Sequence, residues 1–330
     1  MIYHKPVFEY FSIFAPYIRD YIDVRETFSS NFRTQSGILR QFDRYCVDKN
    51  ISAPALDAEL VNGWLLTKEG EKQSTRASRV STFKLFANYL RAIDYNVTWI
   101  PRPGYTRNNE KYVPYIFTDE EIYRLINTAD SLPISFNGSM MHLVFPAVLR
   151  VLYCCGLRIS EALVLSIKDV DLVNGFISIE NSKFNKSRRL PISPSLINYL
   201  KYYEESNKNL IGDDENGFFF PNAKREQYSP RTFYDKFRIV LHQSGIAHKD
   251  KGPRVHDLRH TFAVHSLRKN IQYGQDVYII LPVLMAYLGH GKISSTEYYL
   301  RLTAELFPDF LEKSDSICAN AIPEVACYEE

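Results

Sequence analysis

The chain has 330 residues, 45% of them hydrophobic, with 23 Tyr, 21 Phe and a formal net charge of +2. That length suits two domains, and a composition this apolar and aromatic excludes a disordered chain. No apolar run approaches the ~18–20 residues of a membrane span. The five cysteines include no CxxC pair, which argues against a zinc site or a disulfide framework. The first residues lack the basic-then-apolar order of a secretory signal, so a cytoplasmic protein is expected.

The small net charge hides an uneven distribution. Residues 304–330 carry seven acids against Lys313, which leaves the rest of the chain clearly basic. A basic body with an acidic tail fits a polyanion binder as well as it fits a solvated surface.

Residues 1–98 read as a helical domain. Its most informative helix spans Gln73–Ile93, where Val80, Phe83, Ala87 and Leu90 recur at helical spacing and predict one buried stripe. Lys72, Arg76, Arg79 and Lys84 lie near its start among serines and threonines. Short hydroxyls interleaved with cations can approach a phosphate backbone, so Arg76, Arg79 and Lys84 are candidate DNA contacts. An ordinary solvated face is the competing reading. Residues 99–115 hold Pro101, Pro103 and Gly104 with Arg102 and Arg107, and read as an extended basic linker with two further candidate contacts.

A second domain is expected over 116–303. Thr118 to Glu121 is a capping box flanked by Phe117 and Ile122 at staple positions. An apolar helix from about Ser139 to Cys155 ends at Gly156. Three short strands follow at Ser166–Leu172, Gly175–Glu180 and Arg188–Ile192, with Asn174-Gly175 as a hairpin turn. Ser193-Pro194 and Ser229-Pro230 read as helix starts, and the remainder is mainly helical. The fold class is thus mainly α with a small antiparallel β-meander.

Four segments hold the candidate chemistry. Arg158, in Gly156-Leu-Arg-Ile-Ser-Glu161, stands just past a glycine break, where a guanidinium suits an anion. A salt bridge to Glu161 is the alternative reading. Lys183, Lys186, Arg188 and Arg189 form a basic ridge on one hairpin, more cations than edge protection needs. His256, Arg259 and His260 share one helix face. Zinc is disfavoured there, because Asp257 stands where the metalloprotease pattern has a glutamate. His290 follows Leu288-Gly289 and precedes Tyr298 and Tyr299. No acidic cluster is placed to hold two metal ions. Cations, histidines and a tyrosine suit attack on a phosphodiester by a protein hydroxyl instead.

These segments, in this order, resemble the tyrosine recombinase (phage integrase) family. That family carries an Arg in a GLRxSE-like segment, a Lys in a β-hairpin, HxxR, and LGH followed by a Tyr. The resemblance implies a helical core-binding domain and a mixed α/β catalytic domain closing as a C-shaped clamp on double-stranded DNA. It implies that Arg158 and Arg259 hold the scissile phosphate and that Lys183 is the general acid. Lys186 is the other candidate for that role. His256 and His290 would assist proton transfer, and Tyr299 would be the nucleophile, with Tyr298 as its rival. Lys186 and Arg188 join the candidate DNA contacts. No metal or cofactor is implied. A homotetramer on two synapsed sites is, with accessory recombination proteins as possible partners.

Leu302, Leu306, Phe307, Phe310 and Leu311 stand at helical spacing and are expected to pack on a neighbouring subunit. His290 lies 31 positions after Arg259, farther than the family commonly has, and the surplus near Asn270–Tyr278 is expected to lengthen a loop. A type IB-like topoisomerase and a catalytically silent DNA-binding regulator are the alternatives.

Overall fold

The computed structural model of the protein describes residues 8–28, 32–52, 55–102, 113–134, 140–182, 186–247, 252–289, 298–299 and 302–303. The chain divides into two compact units, Met1–Tyr112 and Val113–Glu330. The boundary falls inside the stretch read as a basic linker.

In the first unit the described helices are α1 (Ala15–Phe28), α2 (Arg33–Asp48), α3 (Ala58–Leu65) and α4 (Gln73–Ala92). Asp57 starts α3 by accepting from the Leu60 amide at 2.9 Å, as an N-cap carboxylate should. The expected stripe on α4 is buried, and Phe86 joins it. These side chains share a core with Phe14, Ile18, Leu39 and Phe42. Phe42 meets Phe83 edge-on, ring centroids 5.0 Å apart. Each buried ring contributes about 2 kcal/mol by leaving water, and the edge-on geometry adds to that.

Helix α4 also overturns one expectation. Arg79 does not face DNA; it is only 2% exposed. It stands four residues before Phe83, so one helical turn puts it on the buried stripe. Its guanidinium donates to Glu71 at 2.7 and 3.0 Å, to the Leu66 carbonyl at 2.8 Å and to the Trp64 carbonyl. An arginine committed in this way has no reach toward a phosphate. Arg76 and Lys84 are half-buried and Arg102 is exposed. Arg107 lies outside the described residues.

The second unit opens with α5 (Asp119–Asp130). Thr118 accepts from the Glu121 amide at 3.2 Å, and Glu121 accepts from the Thr118 amide at 2.9 Å. Phe117 and Ile122 are both buried beside it. Helix α6 (Met141–Cys155) stops at Gly156, whose φ of 60° is a left-handed conformation that glycine adopts without strain. A short α7 (Ile159–Ala162) follows.

The meander is antiparallel in the order β1 (Val170–Asp171), β2 (Phe176–Ser182), β3 (Lys186–Pro191). Strand β1 is shorter than the expected Ser166–Leu172. Asp169 accepts from both the amide and the hydroxyl of Ser166, at 2.8 and 2.6 Å, and this curls Ile167–Asp169 into a 3₁₀ turn. In β2 and β3, Ile177 pairs with Leu190 and Ile179 with Arg188. These four residues therefore share one sheet face.

The remaining helices are α8 (Pro194–Ser206), α9 (Lys208–Ile211), α10 (Pro230–Gln243), α11 (Asp257–Gln272) and α12 (Val277–Leu288). Ser193 and Ser229 cap α8 and α10, each with proline at the first turn. Helix α6 is buried along most of its length and packs against α5, α8 and α11. The surplus between Arg259 and His290 does not form a long loop. Only Tyr273–Asp276 lie between α11 and α12, so the extra residues extend helices.

Tyr298, Tyr299, Leu302 and Thr303 are helical. Leu302 packs with Tyr299, Leu267, Leu284 and Leu288. It therefore fills its own unit's core and does not join a face reserved for a neighbouring subunit. Residues 304–330 lie outside the described residues. Among the described residues no helix is long and apolar enough to cross a membrane.

Candidate active site

The ends of α6 and α12 meet over α11. Both helices finish on a left-handed glycine, Gly156 and Gly289, and both leave carbonyls without helical partners there. Arg259, in the first turn of α11, donates to Gly156 O at 2.8 Å and to Leu288 O at 2.5 Å. A guanidinium placed at two helix C-termini also meets the negative end of each macrodipole. Arg259 is 1% exposed. Burial and the neighbouring Arg158 charge lower its pKa to about 10, so it stays cationic at neutral pH.

Arg158 precedes α7 and is the more open of the pair, its side chain 26% exposed. It donates to Glu161 Oε1 at 2.7 Å from its guanidinium and to Oε2 at 2.9 Å from its amide. The salt bridge that competed with the anion-binding reading is therefore formed. It does not neutralise the site, because Glu161 is shared. Arg188 Nη2 lies 2.9 Å from Oε2, and Arg259 Nη1 lies 4.0 Å from the same oxygen. Burial alone would raise the Glu161 carboxyl. Hydrogen bonds from Arg188 and the Arg158 amide, with both guanidinium charges, override it and hold the group down at about 2. One carboxylate among three guanidiniums leaves a positive excess that suits a phosphodiester.

Tyr299 is 3% exposed. The Arg259 guanidinium stands close enough to act on its phenol. Burial raises the phenol's pKa, and Arg259 offsets this only in part. The phenol is thus protonated at neutral pH and needs a base. His256 stands just before the first turn of α11, and its side chain makes no cap bond there. Its ring stands edge-on to His260, centroids 4.8 Å apart, and His260 lies 5.5 Å from the Tyr299 ring. Desolvation by the surrounding protein, then the charges of Arg259 and Arg158, push His256 downward. His256 is exposed, which limits the burial effect, but the two cations act in the same direction. His256 is therefore a neutral imidazole at pH 7, able to accept a proton. Tyr298 is half-buried beside Tyr299, ring centroids 6.2 Å apart.

The structure brings Arg158, Arg259, His256 and Tyr299 together. Lys183 and His290 lie outside the described residues. Lys186 opens β3, its backbone paired with Ser182. Arg188 is not a surface contact for DNA. Its side chain is 10% exposed, both of its Nη atoms reach Glu161, and Nε donates to Tyr287 O at 2.9 Å. The period of two along β3 carries the signal for this, since Arg188 shares a face with the buried Leu190. Glu161 as a hub for three arginines, and the Gly156 and Leu288 carbonyls as anchors, were not foreseen. Among the described residues no group of three or more His, Cys, Asp or Glu could hold a metal ion.

Residues 116–305 match the family model described as the phage integrase family. This chain belongs to that family. The family comprises the tyrosine recombinases, and as a member the chain is a DNA strand breakage-and-rejoining enzyme. Over 307 residues it is 27% identical to a Sinorhizobium fredii chain that carries the name integrase/recombinase y4rB, covering 92% of this chain and 97% of that one. It is 25% identical over 313 residues to the tyrosine recombinase XerD of Proteus mirabilis, covering 86% and 94%. Its fold is similar to that of the XerH site-specific recombinase bound to difH substrate in a post-cleavage complex. That match has a TM-score of 0.63 at 20% identity, over 87% of this chain and 79% of the other. The Tn1549 transposon integrase in complex with transposon right end DNA gives 0.63 at 16% identity, over 89% and 98%.

Proposed function

We propose that this chain recombines DNA site-specifically through a covalent 3′-phosphotyrosine, with Tyr299 as the nucleophile. The observation that carries this reading is the buried Tyr299 phenol within the field of Arg259, in an arginine pair that shares one carboxylate. In the reaction, Tyr299 Oη attacks the phosphorus and its proton passes to His256. The bond from phosphorus to the 5′-oxygen breaks, and Lys183 protonates that oxygen. Arg158 and Arg259, joined by His290, stabilise the charge on the nonbridging oxygens. The ester keeps the energy of the broken bond, so a different 5′-hydroxyl can attack it and rejoin the strands without ATP.

Arg76, Lys84, Arg102, Arg107 and Lys186 are the proposed contacts to the DNA backbone. The working assembly is a homotetramer on two sites, and residues 304–330 dock on a neighbouring subunit. Integration and excision of a mobile element is the proposed task. A deletion of 304–330 should weaken synapsis while a monomer still binds one site. Unchanged recombination by the deletion would remove the tail from the assembly.

The test of the chemistry is capture of DNA that stays on the protein after denaturing washes of expressing cells, followed by sequencing. A sharp peak lost in Tyr299→Phe supports the reading and reveals the target site. Adducts that persist in Tyr299→Phe move the nucleophile to Tyr298. Absence of any adduct from the unaltered protein, on DNA that it demonstrably binds, would make it a silent DNA-binding relative.

A further inference from the structure

Three elements must stay in register for the proposed reaction: the hairpin bearing Lys183 and Lys186, the turn bearing Arg158, and the end of α12 that leads to His290. One side chain touches all three. Arg188 projects from β3, donates to both Glu161 oxygens at 3.2 and 2.9 Å, and donates through Nε to Tyr287 O at 2.9 Å. Glu161 is the same carboxylate that binds Arg158. Its two oxygens accept four donors in all, two from Arg158 and two from Arg188, which fills a carboxylate's capacity.

The contact with α12 extends to packing. Gly289 has a φ of 67°, and a Cβ placed there would lie 3.0 Å from Arg188 Nη1 and 3.2 Å from Cζ. The glycine before His290 thus leaves room for the Arg188 guanidinium. The pairing of β2 with β3 shifts register between Ile179 and Ser182. Arg188 adds to β3 a tie from outside the ladder, to Glu161 and to Tyr287 O.

We propose that Arg188 is a positioning residue for strand cleavage. It locks the Lys183 hairpin to the arginine pair and to the α12 end. The proposal rests on the reading of Lys183 as general acid. Arginine suits the task because a planar fork with a third donor spans a carboxylate and a carbonyl at once, whereas a lysine ammonium is a point charge.

The experiment compares single-turnover cleavage of two suicide duplexes built on the site recovered by adduct capture. One has the ordinary 5′-oxygen leaving group and the other a 5′-sulfur in its place. A thiolate leaves without being protonated, so the sulfur duplex needs no general acid. Arg188→Gln and Lys183→Ala should each slow the oxygen duplex by about 10²-fold, with DNA binding retained. Both should recover to nearly the unaltered rate on the sulfur duplex. Recovery of Lys183→Ala but not of Arg188→Gln would overturn the proposal and leave the Lys183 reading standing. Failure of Lys183→Ala to recover would sink the Lys183 reading itself. If Arg188→Gln does not fold, Arg188→Lys keeps the charge beside Glu161 without spanning to Tyr287. It should show the same loss and the same recovery, and equal rates on both duplexes would count against the proposal.

Discussion

Among the described residues two arginines are almost wholly buried, one in each unit, and they do different things. Arg79 and Arg259 both reach backbone carbonyls at helix C-termini: Trp64 and Leu66 at the end of α3, Gly156 and Leu288 at the ends of α6 and α12. The difference lies in the counter-charge. Arg79 has Glu71 at 2.7 Å, a one-to-one pair with both side chains nearly inaccessible. Arg259 has Glu161 at 4.0 Å, and that carboxylate also serves Arg158 and Arg188. A buried charge is therefore no marker of chemistry by itself. A matched pair stiffens a core, whereas a mismatched set keeps positive potential in reserve for an anion.

The comparison predicts opposite phenotypes. Arg259→Met should cut single-turnover cleavage by roughly 10³-fold, the scale for removing a donor aimed at transition-state charge. Binding of the DNA site should change far less. Cleavage within about tenfold of the unaltered rate would mean that Arg259 only braces helix ends, as Arg79 does. Arg79→Met should instead leave cleavage of bound DNA unaltered and destabilise the first unit by about 1.5–3 kcal/mol, because the Glu71 carboxylate keeps only the Lys68 amide and loses its charged donors. Adding Glu71→Met should restore much of that loss in a urea titration. A double variant no better than the single one would show that the backbone carbonyls, and not the ion pair, carry the energy.

Glu161 sharpens the contrast through pH. Its carboxyl is held at about 2, below its ordinary 4.5. A depressed carboxyl stabilises the folded state above its unfolded pKa, and that stability is lost as pH falls through the folded value. The shift corresponds to roughly 3 kcal/mol. The gap in unfolding free energy between the protein and Glu161→Gln should be near that size at pH 7. It should shrink to roughly half by pH 3. A gap that does not vary with pH would mean that Glu161 acts through packing.

Legibility in the sequence followed how local each signal was. The Thr118 capping box, the Gly156 stop, the Ser-Pro helix starts and the stripe on α4 all depend on neighbours within a turn, and each stands where the residues implied. The strand expected at Ser166–Leu172 failed for an equally local reason, the Ser166–Asp169 hydrogen bonds that favour a 3₁₀ turn. The motif arginines and Tyr299 were legible by resemblance. Arg79 and Arg188 depart from the expected DNA contacts, because a cluster of cations in sequence does not fix which face each one shares. Arg79 falls in step with Phe83 and Arg188 with Leu190, and both point inward. No local pattern could show that Glu161 binds Arg188, 27 residues away, or that Arg259 binds a carbonyl 29 residues away.

The smallest effect tests what holds Arg79. The Trp64 indole has the Arg79 guanidinium at 4.4 Å from its ring centroid and the Lys68 ammonium at 5.1 Å. Lys68 is exposed, so water competes for its charge, and Lys68→Gln should cost about 0.5–1 kcal/mol, less at high salt. Arg79 differs in having a buried carboxylate and two carbonyls as well as the ring. If the ring dominated, the two substitutions would cost similar amounts and both would respond to Trp64→Leu. If the hydrogen-bonded pair dominates, Lys68→Gln stays small and Arg79→Met stays several times larger. The second outcome is expected, because a guanidinium out of water gains more from a desolvated carboxylate than from a ring quadrupole.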